Sequence, residues 1–143
     1  MSAAPAFPLP DPAFEPTRAF WEAAARGELA VPRCAACRAW VWYPREACPC
    51  GGALAWTRVS GRGTLFSFAV VRKALVPQYA SLVPYLPALV ALAEEPRVRL
   101  VTRLVDCAPG SVRVDMPLRV AFRRLRFDGV EGEIPAPCFA PES

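Results

Sequence analysis

The sequence predicts a mainly β fold with one N-terminal helix, a small cysteine-rich segment and a five-stranded barrel. Three observations predict it: apolar residues recur at helical spacing early in the chain, strand-like alternation follows residue 54, and two close cysteine pairs lie between them. The 143 residues suffice for one ordinary domain or two small ones. We divide the chain into an arm and helix (1–29), a cysteine-rich ribbon (30–56), a barrel (57–129) and a C-terminal tail (130–143).

The helix is predicted within residues 12–29, where Phe14 and Phe20 belong to an apolar series near helical spacing and Ala, Glu and Arg are frequent. Thr17 is suited to cap a helix that begins near Arg18, and Gly27 is suited to end it.

Apolar material is sparse in residues 30–56, and prolines interrupt it. A segment of this composition cannot form a core by itself, so a metal ion or disulfides must cross-link it.

Alternating apolar residues predict five main strands, at 54–60, 64–72, 86–93, 97–105 and 118–127. Gly61 and Gly63 mark the first turn. Five strands linked mostly by hairpins favour closure, with an OB-type barrel as first choice and an SH3-like barrel as second. The alternation slips by one residue at Arg123-Arg124, which predicts a β-bulge there. Phe66 and Phe68 are expected to share one strand face and to fill the barrel.

Three prolines interrupt residues 73–87 between the second and third predicted strands. This segment is too apolar for a free loop, so it either folds back over the barrel or forms an exposed contact patch. Other prolines gather at both chain ends, and we expect both ends to be extended and mobile.

The strongest motif is the pair Cys34-x-x-Cys37 followed by Cys48-Pro-Cys50. Two thiol pairs on separate turns suit tetrahedral zinc, and four protein ligands leave no position for water or substrate, so the site is expected to be structural. The second pair is one residue shorter than the usual knuckle. A disulfide, a reduced pair and a ribbon that has lost its metal are the alternatives.

The two remaining cysteines, Cys107 and Cys138, lie far from this motif in sequence. Both are read as small buried apolar residues, with Cys138 retained as a possible substitute ligand.

The sequence contains no histidine, which removes the commonest general base and histidine-based catalytic sites. Asp106, Asp115 and Glu133 fall near turns, where acidic residues are ordinarily solvated. Catalysis by the chain alone is not expected. No apolar run approaches the ~20 residues of a membrane span, and the start lacks a secretion signal, so a cytoplasmic protein is expected.

The chain resembles the DUF35 family through motifs that follow one another in order over nearly its whole length. They are Phe20-Trp21-Glu22, the cysteine segment, Gly61-Arg62-Gly63-Thr64-Leu65, the run at 87–93 and the run at 114–120. The resemblance implies a rubredoxin-like zinc ribbon, with structural Zn²⁺ on Cys34, Cys37, Cys48 and Cys50, joined to an OB-fold.

The resemblance also implies a function by association with an acyl-CoA enzyme. The expected role is a non-catalytic accessory subunit that stabilises a thiolase-like enzyme and helps to form its CoA-ester channel, most specifically in a steroid side-chain retro-aldolase. A thiolase, hydratase or acyltransferase complex is the alternative partner, and two thiolase-like with two accessory chains is the expected assembly. Candidate contacts to the partner or to CoA are Trp21, Trp40, Trp42, Arg72, Lys73, Tyr79 and Tyr85.

A single-stranded nucleic-acid-binding barrel is the weaker alternative. The net charge of +4 is spread over predicted strands and not clustered in a basic stripe, so no nucleic-acid partner is expected.

Overall fold

The computed structural model describes residues 7–142. The expectations for residues 1–6 and for residue 143 lie outside the described part. The elements are helix α1 (Glu15–Ala25), a 3-10 helix (Pro77–Leu82), and strands β1 (Ala30–Cys34), β2 (Leu54–Arg58), β3 (Arg62–Phe68), β4 (Leu86–Leu92), β5 (Arg99–Leu104), β6 (Pro117–Leu125) and β7 (Ile134–Pro141), with a short 3-10 turn at Pro109–Ser111. No helix within residues 7–142 is long and apolar enough to span a membrane.

Helix α1 begins three residues earlier than predicted. Phe14 holds the capping position without a side-chain cap, and Pro16 lies in the first turn, where a missing N–H costs nothing. Gly27 ends the helix as expected: its φ is +76°, and its N–H donates to the carbonyl of Ala24. The capping role predicted for Thr17 is wrong because Thr17 lies inside the helix.

The barrel is closed and has five strands in the order β3-β4-β5-β7-β6. The predicted number is right, but one member differs. Strand β2 pairs with β1 in a separate two-stranded sheet of the ribbon. Its place is taken by β7, which lies in the region predicted to be a mobile tail.

Strand β7 tolerates three prolines because of its register with β6. Opposite pairs in an antiparallel ladder alternate between bonded and non-bonded. Pro135, Pro137 and Pro141 share one parity, opposite Arg124, Phe122 and Leu118. Phe139, of the same parity, accepts a hydrogen bond from the β5 side through the N–H of Val105. The prolines therefore turn their nitrogens away from β6 and leave that ladder intact.

The predicted bulge at Arg123-Arg124 is absent, since the register of β6 with β7 runs unbroken from Leu118 to Leu125. The apolar phase changes because the end of β6 covers a second apolar surface outside the barrel. The irregularity lies instead in β3, between Leu65 and Ser67.

The shift in β3 turns Phe66 outward, where 44% of it is exposed and the Arg99 guanidinium lies 3.8 Å from its ring centroid. The expectation that Phe66 fills the barrel is therefore wrong, whereas Phe68 packs against the core. The barrel centre is formed by fully buried Leu65, Val90, Leu118 and Phe139.

Candidate metal centre and apolar cavity

The four ribbon cysteines converge on one point. Cys34 ends β1, Cys37 follows in the turn, and Cys48 and Cys50 lie on a second turn before β2. Their Sγ atoms all lie within 4.8 Å of one another, with Cys34 and Cys50 at 3.5 Å and Cys37 and Cys48 at 3.6 Å. Sulfurs bound tetrahedrally to zinc at 2.3 Å are separated by about 3.8 Å, so this arrangement fits the ion.

Backbone amides support the sulfurs unequally. The N–H groups of Ala36 and Cys37 each donate to Cys34 Sγ over 3.4 Å, and the N–H of Gly52 donates to Cys50 Sγ. The N–H of Cys37, with smaller help from that of Ala36, lowers the pKa of Cys34 to about 6 against the effect of burial. The N–H of Cys50 lowers the pKa of Cys48, but burial and the neighbouring thiols together raise it to about 12.

Gly52 has no room for a side chain, because a Cβ would overlap Cys34 Sγ and approach the Cβ of Ala36 to 2.9 Å. This close approach lets the second turn close over the first despite its shortened spacing. The four cysteines are therefore positioned to bind one metal ion, whose contribution when bound is to cross-link the two turns.

Cys138 is buried in β7 and Cys107 is partly buried, and neither belongs to the metal-binding group. Burial raises the pKa of both thiols, opposed at Cys138 by the positive charges of Arg103 and Arg123.

A cavity of about 540 Å³ lies outside the barrel, over the line where β5 meets β7. Helix α1, the ribbon and the segment around the 3-10 helix surround it. Its lining consists of Thr17, Phe20, Trp21, Trp42, Tyr43, Tyr79, Leu82, Tyr85, Pro87, Leu100, Val101, Thr102, Arg103, Leu125, Phe127, Ala136, Pro137 and Cys138.

Stacked aromatic rings form one wall of the cavity. Tyr79 stacks on Phe127 with ring centroids 5.0 Å apart and meets Tyr85 edge-on at 5.4 Å. Phe7, from the N-terminal arm, lies 4.8 Å from the Phe127 ring. Residues 73–87 thus combine the two arrangements expected from the sequence. The two tyrosines fold back over the barrel, whereas Leu75 is 90% exposed and Val76 41% exposed.

Four of the seven predicted contact residues meet at this cavity: Trp21, Trp42, Tyr79 and Tyr85. The remaining three lie elsewhere. Trp40 packs under the Arg33 guanidinium on a polar groove between ribbon and barrel, which Trp42 also borders. Arg72 and Lys73 are exposed and do not line the cavity.

Among the cavity residues that sequence reasoning missed are Arg103, Phe127 and Cys138. The signal for Phe127 was present, since the slipped apolar phase of β6 reports a second buried surface. The prolines of β7 concealed Cys138, because a proline-rich segment was taken for a tail.

Two family models match the chain in order. One is described as ChsH2, rubredoxin-like zinc ribbon domain, and matches residues 21–56; the other, ChsH2, C-terminal OB-fold domain, matches residues 56–123.

Three similar proteins cover most of the chain. A DUF35 domain-containing scaffold protein of Methanothermobacter thermautotrophicus is 30% identical over 76% of this chain and 82% of its own length. A probable enoyl-CoA hydratase alpha subunit of Thermomonospora curvata is 38% identical over 76% of this chain, which spans only 34% of that protein. A solved structure named Ltp2-ChsH2(DUF35) aldolase has a TM-score of 0.76 and 32% identity, covering 92% of this chain and 98% of that one.

The ribbon with its four converging cysteines, the closed five-stranded barrel and these similarities agree with one another. The chain belongs to the DUF35 family, with a rubredoxin-like zinc ribbon joined to an OB-fold barrel.

Proposed function

We propose that the chain is a non-catalytic accessory subunit that binds and stabilises a thiolase-like acyl-CoA enzyme and helps to form its CoA-ester channel. The observation that carries this proposal is the likeness to the Ltp2-ChsH2(DUF35) aldolase over almost the full length of both chains. The most specific form of the proposal is a steroid side-chain retro-aldolase complex, and it derives from family likeness alone.

The distribution of side chains supports a scaffold role. The sequence has no histidine. Two of the three candidate carboxylates are held in ion pairs. Asp106 pairs with Arg123, and Glu133 pairs with Arg124 and Arg126. These guanidinium partners lower the pKa of Glu133, which suits an ion pair and not a general acid.

Exposed apolar side chains supply a contact surface for the partner. We assign this surface to Leu75 and Val76 together with the rim of the cavity at Tyr43, which is 64% exposed. Large apolar side chains that remain exposed to solvent are typical of protein interfaces. Trp21, Trp42, Tyr79 and Tyr85 remain the proposed aromatic anchors next to this surface.

A hydratase complex is the second candidate, favoured by the similarity to the probable enoyl-CoA hydratase alpha subunit. A nucleic-acid-binding role has less support. Phe66 is an exposed aromatic residue of the barrel, but the Arg99 guanidinium already covers its ring, where a base would stack.

The test is co-expression of the tagged chain with the thiolase-like protein encoded nearest to it in the same genome, followed by size-exclusion chromatography and metal analysis. We expect co-elution with about one zinc per accessory chain. Elution of the folded chain alone, with the thiolase-like and hydratase candidates each tried as partner, would overturn the proposal.

A further inference from the structure

The backbone ladder between β5 and β7 covers only one end of the two strands. Their ladder contains the single parallel pair Leu104 and Phe139. Beyond this pair, the nitrogen atoms of Pro137 and Pro135 face β5. A proline nitrogen carries no N–H, so neither residue can continue the ladder. Proline thus ends the backbone ladder between these two strands of the closed barrel, and the cavity lies over the seam beyond it.

This seam between β5 and β7 gives the cavity an apolar floor. Leu100 is 3% exposed, Ala136 8% and Cys138 2%, so the floor belongs to the barrel wall itself. Aromatic rings from the helix, the ribbon and the 3-10 segment enclose it on several sides. A volume of about 540 Å³ with such a lining has the dimensions of a small-molecule site.

Of the residues that the structure describes, Arg103 is the one charged residue that lines this cavity. Its side chain is half-buried, and within residues 7–142 it forms no ion pair with an acidic side chain. It also borders a smaller adjoining cavity of about 170 Å³, with Leu82 and Tyr85 common to both. A half-buried arginine beside an apolar volume is matched by a ligand that carries one negative charge on an apolar body.

We propose that the cavity is a binding site for an organic carboxylate with an apolar body, whose carboxylate pairs with Arg103. The ring wall and the β5–β7 seam hold the body, and the guanidinium selects the anionic form. This goes beyond the proposed partner binding, because ligand binding is a property of the chain by itself. The chain can fail to co-elute with a partner and still bind the carboxylate, or it can co-elute with a partner and not bind the carboxylate.

The test measures binding of decanoate and of decan-1-ol to the zinc-loaded chain by titration calorimetry. The two probes share an apolar body and differ in the charge. We expect one decanoate per chain, bound about tenfold more tightly than the alcohol, because a charge-assisted hydrogen bond is worth about that factor.

Two pairs of variants distinguish the site from general hydrophobic adsorption. Arg103→Met is expected to remove the tenfold preference without changing alcohol binding. The matched control, Arg99→Met, lies on the same strand face but stacks on Phe66, and it is expected to change neither. Thr17→Trp, which fills the cavity from the helix, is expected to weaken both probes, whereas Glu22→Trp on an exposed position of the same helix is expected to weaken neither.

Equal affinity for the two probes, a preference that survives Arg103→Met, or no saturable binding would overturn the proposal. Folding of each variant is checked by its thermal transition, and a conservative Arg103→Lys variant is expected to retain part of the preference.

Discussion

The hydroxyl of Thr102 donates a 2.8 Å hydrogen bond to the carbonyl oxygen of Pro137. It joins β5 to β7 where the backbone ladder between these strands has already ended, since that ladder contains only the Leu104–Phe139 pair. The Thr102 side chain thus supplies from β5 a donor for the carbonyl of Pro137, beyond the end of the backbone ladder. The bond holds the strands at a fixed separation below the cavity.

Replacing Thr102 with valine is therefore expected to lower the free energy of unfolding by about 1 kcal/mol, since the shape is kept and the hydrogen bond is lost. Urea denaturation followed by tryptophan fluorescence measures the change. Thr64→Val, at an exposed position of β3, is the matched control, and its unfolding free energy should remain within about 0.5 kcal/mol of the parent. Equal values for both variants would show that the hydroxyl does not stabilise the seam.

Removing any one of the four ribbon cysteines is expected to abolish stable metal binding. A Cys50→Ser chain should purify with a zinc-to-chain ratio near zero, against about one for the parent, because a closed tetrahedral site needs all four ligands. Cys107→Ser, outside the metal-binding group, should keep the parent ratio. Elemental analysis after dialysis gives the ratio, and zinc retention by Cys50→Ser would contradict the four-cysteine assignment.

Chelation of the metal is expected to unfold the ribbon and leave the barrel folded. The ribbon core is small, comprising Cys34, Val41, Cys48 and part of Leu54, whereas the main core is centred on the barrel and takes in only Val31 from β1. Amide exchange after treatment with a chelator should therefore increase in β1 and β2 and stay slow in β4 and β6. Cooperative loss of protection throughout the chain would show that the barrel depends on the metal.

Gly63→Ala is expected to destabilise the barrel by about 2 kcal/mol. A Cβ at this position would overlap the carbonyl oxygen of Ala91 in the neighbouring strand and lie 2.8 Å from Val90 Cγ1, so the backbone must move. Gly110→Ala is the control, because a Cβ there meets nothing within 4 Å. Urea unfolding of the two variants, compared at one temperature, separates them, and equal stability would mean that β3 and β4 shift without cost.

Leu75→Ser combined with Val76→Ser is expected to weaken binding of the thiolase-like partner by about tenfold or more, with little effect on the stability of the chain. Leu75 is 90% exposed, so its removal costs no core packing. Val114→Ser, at another exposed apolar position, serves as control. Removal of the whole of α1 would be a poorer test, since Ala23 and Ala24 are buried. Unchanged partner affinity of the double variant would exclude this surface from the interface.

Local spacing in the sequence determined the helix, its end at Gly27 and the converging cysteines. Each of these depends on residues close together in the chain: a 3.6-residue period, a positive φ that glycine adopts, or thiols on two tight turns. The absence of histidine, which limits the catalytic chemistry available, is likewise read from the sequence alone.

Only the tertiary structure decided which strands close the barrel. Strand β2 alternates like a barrel strand but pairs with β1, and β7 is a strand although it contains three prolines. Period-two alternation reports that one face is buried but not which neighbour buries it, and a proline excludes pairing on one edge only. The cavity likewise depends on contacts between distant segments, so Arg103, Phe127 and Cys138 meet at a place that no local pattern specifies.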